Sequence, residues 1–156
     1  MILYRLTKTR YLPTAWTGSG AKEAGGRWNS PGTAMVYASG TASLTMLETL
    51  VHLRASQLLD YYTLLQINVP DKLIMSADMT LFPDNWHAEE APWELAAYGD
   101  AWIESEASVA LRVPSVLSPV EFNYLLNPGH SAFKDITHTS EEIPFRFNSR
   151  LKAEQQ

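Results

Sequence analysis

Short stretches of alternating hydrophobic and polar residues recur along the chain, which is the pattern of β-strands that bury one face. Residues 62–69 show it most clearly, because Leu65, Ile67 and Val69 alternate with polar residues. Similar patterns predict strands at residues 2–6, 35–38, 109–113 and 121–126, and a last strand or hairpin within residues 136–147, with Glu141 and Glu142 near its turn. The chain is thus predicted to form about six short strands.

One segment has helical spacing instead. Residues 41–54 place Leu44, Leu47 and Val51 on a single stripe, as in an amphipathic helix. Glu48 lies four residues after Leu44 and therefore borders this stripe. Since glutamate is rarely buried without a partner, Glu48 is either a rim residue that reaches water or a functional carboxylate.

The ends of this helix and a second helix carry weaker signals. Ser39 or Thr41 can cap the first helix, because both have short hydroxyl side chains. A second helix is predicted at residues 93–105, although Gly99 is a poor helix former.

The connecting segments are polar and rich in glycine or proline. Residues 7–33 are predicted to be a long loop with a short helical turn, and residues 70–92 an irregular excursion. Strands and helices do not alternate as in parallel-sheet folds, so the predicted class is mixed α+β. A chain of 156 residues fits one domain, taken here as residues 1–150 with a polar tail at 151–156.

Composition and charge narrow the functional classes. There is no cysteine, which excludes disulfides and cysteine-based zinc sites. The four histidines follow no metal-ligand spacing, so no metal site is predicted. The net charge of −5, with scattered basic residues, disfavours direct nucleic-acid binding. No secretion signal or membrane span is recognisable, so a cytoplasmic location without membrane association is expected.

The segment from Ala24 to Gly32 has the composition of a recognition loop. Gly25 and Gly26 allow close approach of a ligand to the backbone. Arg27 follows at once, and its planar guanidinium suits phosphate or carboxylate groups. The sequence therefore predicts a loop that binds an anionic ligand, with an ordinary surface turn as the alternative.

Four further residues can carry chemistry, and each has a structural alternative. Arg5 lies within the first strand and can simply face water. Tyr37 can be a core residue, and Ser115, after Pro114, can be a turn hydroxyl. Glu48 is the fourth.

Six segments follow one another along the chain: Tyr4-Arg5, Gly25-Gly26-Arg27-Trp28-Asn29, Val36-Tyr37-Ala38-Ser39, Leu47-Glu48-Thr49-Leu50-Val51-His52, Val113-Pro114-Ser115 and Asn127-Pro128-Gly129-His130. Taken together and in this order, they resemble the RES domain family, which contains toxins of bacterial toxin–antitoxin modules. The resemblance covers most of the chain, from residue 4 to about residue 133. One departure is Ser131-Ala132-Phe133, where the family often has Pro-Asp-Phe.

The resemblance implies a fold similar to ADP-ribosyltransferases, with a split mixed sheet, a central helix and an NAD cleft. It implies a toxin that cleaves the nicotinamide–ribose bond of NAD⁺, which is a substrate, so no cofactor is expected. It also implies a partner, a small Xre-like helix-turn-helix antitoxin.

The same resemblance implies roles for individual residues. Glu48 would stabilise the positive charge on the ribose, Arg5 would hold the ribose or phosphates, and Ser115 would bind the ribose or position Glu48. The NAD-binding set would be Arg27, Tyr37, Gly26 and Asn29.

Two alternatives remain open. The enzyme can transfer ADP-ribose to phosphate or to a protein, although Met46, two residues before Glu48, is not the acid that many protein-modifying transferases carry there. Alternatively, the chain is a nucleotide-binding module without turnover.

Overall fold

The strands form a single mixed sheet. The computed structural model describes residues 1–53 and 61–151, and these ranges contain the strands β1 (Ile2–Lys8), β2 (Val36–Ser39), β3 (Tyr62–Asn68), β4 (Ile74–Ser76), β5 (Ala110–Pro114), β6 (Phe122–Leu126) and β7 (Glu141–Ile143). They pair in the order β4-β5-β6-β2-β1-β3-β7. All neighbours are antiparallel except β4 and β5, which confirms the α+β class.

Both predicted helices are present among the described residues. They are α2 (Ala42–His52) and α3 (Trp93–Ser105), and two short helices accompany them, α1 (Ser19–Ala24) and α4 (Phe133–Thr137). Thr41 caps α2, because its hydroxyl accepts a hydrogen bond from the Leu44 amide at 3.1 Å. The predicted helix end at Arg54 lies outside the described residues, as do residues 152–156 of the predicted tail.

Gly99 belongs in α3 despite its poor helix propensity. A Cβ atom at this position would lie 1.7 Å from the carbonyl oxygen of Trp28. The glycine therefore lets α3 pack directly against the main chain of the predicted recognition loop.

Two predictions of local structure were wrong. Residues 70–92 contain strand β4, which at three residues is too short to show alternation. Residues 136 and 137, where the last strand or hairpin was predicted to begin, belong to α4, because Phe133 and Ile136 bury one face at helical spacing. The predicted last strand is present as β7, which contains Glu141 and Glu142 soon after the turn at residues 138 and 139.

The predicted long loop at residues 7–33 is also more ordered than expected. It contains the end of β1, a 3-10 helix at Thr9–Thr14 and the helix α1.

Two helices cover the same face of the sheet and leave a polar strip between them. α2 packs on β1 and β3 through Met46 and Leu50, against Leu6 and Leu64. α3 packs on β5 and β6 through buried residues that include Leu95, Trp102, Leu111 and Leu125. Because paired residues of neighbouring strands share a face, the strip between the helices carries Tyr37, Ser39 and Asn123.

Within this single sheet, β1 and β2 are joined by only one residue pair. Every residue of β1 pairs with β3, but only Tyr4 pairs with β2, opposite Ser39. Arg5 bridges this junction, since its Nη1 donates to the Tyr37 carbonyl and its Nε to the Ala15 carbonyl, both at 2.9 Å. Burial lowers the pKa of Arg5 to about 10, so the guanidinium keeps its charge at neutral pH.

We expect Arg5→Met to destabilise the protein by about 1–3 kcal/mol, because two carbonyl groups lose a charged donor in a partly buried place. Chemical denaturation followed by tryptophan fluorescence measures this change. Arg10→Met, at an exposed position, is the matched control. Equal unfolding midpoints for the two variants would show that Arg5 does not hold the junction.

Candidate functional site

Glu48 lies on α2 and faces the polar strip. Its Oε1 accepts a hydrogen bond from Asn123 Nδ2 at 2.7 Å and another from Ser115 Oγ at 3.2 Å. The side chain is half-buried, and no hydrogen bond from residues 1–53 or 61–151 reaches its Oε2. One carboxylate oxygen is therefore fixed by two donors, while the other is available to a ligand.

Ser115 is a buried turn hydroxyl that also contacts Glu48. Its Oγ accepts hydrogen bonds from the amides of Leu117 and Ser118, both at 3.1 Å. A hydroxyl has one hydrogen, and with both acceptor sites occupied that hydrogen points to Glu48. Of the two roles expected for Ser115, this geometry fits the positioning of Glu48 rather than direct binding of a ribose.

Tyr37 anchors the loop at residues 25–32. Its hydroxyl donates to Asn29 Oδ1 at 2.7 Å and accepts from the Trp28 amide at 3.1 Å. A Cβ atom at Gly26 would lie 2.7 Å from the same hydroxyl, so only glycine fits there. The structure thus brings together three of the residues predicted to bind the substrate: Tyr37, Gly26 and Asn29.

Asn29 has a structural task in this arrangement. The side chain is 1% exposed, and its Nδ2 donates to the carbonyls of Ala21 at 2.8 Å and Thr33 at 3.1 Å. Both polar atoms of its side chain are thereby hydrogen-bonded, to α1, to β2 and to the end of the loop. Its predicted contact with the substrate stays a prediction.

Arg27 holds a second segment next to the site. Its Nη1 donates to the carbonyl of Trp86 at 3.0 Å, and its Nη2 to those of Ala88 at 2.8 Å and Glu89 at 3.2 Å. Burial lowers the pKa of Arg27, while the charge of Glu48 and the Tyr37 phenol act to raise it. Arg27 is therefore close enough to Glu48 to interact electrostatically, and no carboxylate among the described residues forms an ion pair with it.

Arg5 joins the site only indirectly. It alternates with Tyr4, which packs beneath α2, so its side chain leaves β1 on the opposite face. Its guanidinium reaches the strip through the backbone carbonyl of Tyr37. The alternative of an arginine facing water is wrong, and a catalytic role stays a prediction.

Two residues of the site escaped the sequence analysis. Asn123 contacts Glu48 directly, and Ser39 Oγ lies 2.8 Å from Asn123 Oδ1. A signal existed for Asn123, because it shares an otherwise apolar strand face with Leu125. Ser39 was predicted as a helix cap and belongs to a matching segment, but no role in the site was predicted for it.

Other polar residues of the matching segments lie outside this site. His52 is exposed at the end of α2. Asn127 is buried, where its Nδ2 donates to the Ile103 carbonyl and its Oδ1 accepts from the Gly129 amide. Within the described ranges, no three acidic or histidine side chains are grouped so as to hold a metal ion, and none of the helices has the length and apolar character needed to cross a membrane.

Tyr37 should resist ionisation at alkaline pH. Burial raises the pKa of its phenol well above the ordinary value, and nearby Asp100 raises it further, whereas the Trp28 amide and Arg27 act in the opposite direction. Because the pKa of the Tyr37 phenol is higher in the folded protein than in the unfolded protein, its protonated form contributes stability below about pH 10. This contribution is lost as the pH rises further. In a phenolate absorbance titration, the wild type and Tyr37→Phe should therefore coincide until the protein unfolds. A step near pH 10 that only the wild type shows would contradict this.

Comparison with known proteins identifies the family. Residues 2–148 match the RES domain. A relative named "Toxin Res" from Yersinia enterocolitica is 44% identical over 152 residues, which cover 97% of this chain and 100% of the relative. A relative from Sphingobium sp., named "Prs ADP-ribosylating toxin", is 42% identical over 123 residues, or 77% of this chain and 76% of the relative.

A solved structure has the same fold. It is described as the M. tuberculosis MbcT-MbcA toxin-antitoxin complex, and the matched chain has a TM-score of 0.64 at 19% identity, over 91% of this chain and 83% of that one. The mixed open sheet with helices is thus the fold seen there. With the match over nearly the whole length, the chain belongs to the RES domain family of toxins.

Proposed function

We propose that this toxin breaks the nicotinamide–ribose bond of NAD⁺ and transfers the ADP-ribosyl group to water. The geometry of Glu48 carries the proposal: a half-buried carboxylate with one oxygen fixed by two neutral donors and the other unbonded among the described residues. The relatives named as toxins, one of them as an ADP-ribosylating toxin, support this class of chemistry.

The chemistry needs such a carboxylate. When the C1′–N bond breaks, its electron pair leaves with nicotinamide, which departs neutral and requires little acid catalysis. Positive charge then develops on the ribose, as in other glycosyl transfers. A fixed negative charge beside C1′ stabilises that charge. Water attacks C1′ and loses a proton to Glu48 Oε2 or to solvent, which gives ADP-ribose, nicotinamide and H⁺.

The charges of Arg27 and, less directly, of Arg5 favour an anionic substrate. Arg27 and Arg5 both donate to main-chain carbonyls, which leaves their positive charges without carboxylate partners among the described residues. For Arg27 to hold the pyrophosphate, the substrate phosphates must replace the carbonyls at residues 86–89. Arg5 acts through its charge and through the position of Tyr37.

A protein acceptor is the second candidate, because the relative from Sphingobium sp. is named for ADP-ribosylation. Met46 does not argue against it. On a helix, a residue two positions before Glu48 points to a different side, and Met46 packs instead into the cluster beneath α2. The missing acid at position 46 is therefore uninformative about the acceptor.

We also propose a partner and a location. The fold neighbour comes from a toxin–antitoxin complex, which supports an antitoxin as partner. An Xre-like helix-turn-helix protein that inhibits the enzyme in the cytoplasm, with NAD⁺ as the substrate and no cofactor, completes the proposal.

Glu48→Gln should fold normally and lose about 10²–10³-fold in NAD⁺ turnover, because the amide keeps the shape but removes the charge. Nicotinamide release by the purified, partner-free chain, measured by chromatography, gives the rate. Glu104→Gln on α3 is the matched control and should retain wild-type turnover. A Glu48→Gln variant with most of the wild-type rate would refute the assignment, and a folded wild type that binds NAD⁺ without consuming it would indicate a binding module.

Mass spectrometry of the products decides the acceptor. With water as acceptor, ADP-ribose should equal released nicotinamide, whether or not phosphate or host proteins are added. If a phosphorylated ADP-ribose forms, or if a protein gains one ADP-ribosyl group while free ADP-ribose falls, the acceptor is phosphate or protein. The reaction would then be a transfer and not a hydrolysis.

A further inference from the structure

We infer that Asn123 and Ser39 are positioning residues that fix the carboxylate of Glu48, an inference that rests on the proposed NAD⁺ cleavage. Asn123 lies in β6, directly opposite Ser39 of β2. Both residues therefore face the strip on which α2 places Glu48.

The three side chains form a chain of hydrogen bonds with one direction. Glu48 is an acceptor when ionised, so the Asn123 atom 2.7 Å from its Oε1 must be the Nδ2 donor. The other end of the same amide, Oδ1, then accepts the hydrogen of Ser39 Oγ at 2.8 Å. Ser39 is 2% exposed, which keeps water from competing for Asn123.

The two residues that donate hydrogen bonds to Glu48 lie outside α2. Ser115 follows β5, and Asn123 lies within β6, next to β5 in the sheet. Glutamate has several rotatable bonds, and two donors on Oε1 select a rotamer in which Oε2 receives no hydrogen bond from residues 1–53 or 61–151. The carboxylate is thus oriented before a substrate arrives.

Neutral donors have an advantage over a salt bridge here. An arginine or lysine bound to Glu48 would orient it equally well, but its positive charge would oppose the charge that develops on the ribose. No ion pair of Glu48 occurs within residues 1–53 and 61–151. An amide and a hydroxyl hold the carboxylate and leave its charge intact.

Asn123→Asp tests this with little change in volume. The donor becomes an oxygen, so two carboxylates face each other and the hydrogen bond to Glu48 is lost. We expect kcat to fall about 10- to 100-fold, the effect of a hydrogen bond to a charged group, with KM for NAD⁺ little changed. Ser39→Ala removes only the hydrogen bond that supports Asn123, so it should lower kcat by a smaller factor than Asn123→Asp. Asn68→Asp adds the same charge at an exposed position, as the matched control.

The double variant Glu48→Gln with Asn123→Asp separates two effects: the orientation of the side chain at position 48 and the negative charge that this side chain carries. The new glutamine amide can donate to the new aspartate, so the hydrogen bond is restored in reverse. We expect the melting temperature, lowered in Asn123→Asp alone, to recover in the double variant, while kcat stays as low as in Glu48→Gln.

Two results would overturn the inference: wild-type kcat in Asn123→Asp, or no recovery of the melting temperature in the double variant. A raised KM with unchanged kcat would also contradict it, because that pattern indicates substrate binding rather than positioning of Glu48. The melting temperatures do not depend on turnover. If the wild type does not consume NAD⁺, the proposed function fails, and the recovery of the double variant still decides whether Asn123 holds Glu48.

Discussion

The guanidinium of Arg5 holds the sheet together at its weakest junction, and the candidate site depends on that junction. Strands β1 and β3 carry α2, and with it Glu48. Asn123 and Ser115 belong to the other half of the sheet, where β5, β6 and β2 pair. Since β1 and β2 share a single residue pair, the hydrogen bonds to Glu48 cross from one half to the other. A small opening at the junction would therefore separate Glu48 from its donors.

The charged groups in the site and beneath it are arranged in an unusual way for an acidic protein. Arg5 and Arg27 donate to backbone carbonyls, and Glu48 accepts from neutral side chains. Within the described ranges, these charges are thus satisfied as hydrogen-bonding groups without being neutralised as ions. Such a site keeps a local field of both signs, which suits a dinucleotide with negative phosphates and a ribose that becomes positive.

The sequence predicted the parts of this arrangement that depend on local pattern. Alternation located the strands, and helical spacing placed Glu48 at the border of a buried stripe on α2. Asn123 was missed because its partner is set by sheet register, which joins residues 75 positions apart. The carbonyl partners of Arg5 were not predicted, because no local pattern shows that β1 and β2 share only one residue pair. The short strand β4 gave no periodic signal at all.

The contact between Gly99 and Trp28 limits how the site can move. With no side chain at position 99, helix α3 lies directly against the main chain of the loop, and Tyr37 holds the same loop from the sheet side. Residues 25–32 are therefore clamped between two rigid surfaces. The segment at residues 86–89 is tied to the same loop by the side chain of Arg27, and Phe82 and Trp86 also pack in the cluster that contains Trp28. The loop is thus the common support of helix α3, the sheet and this segment.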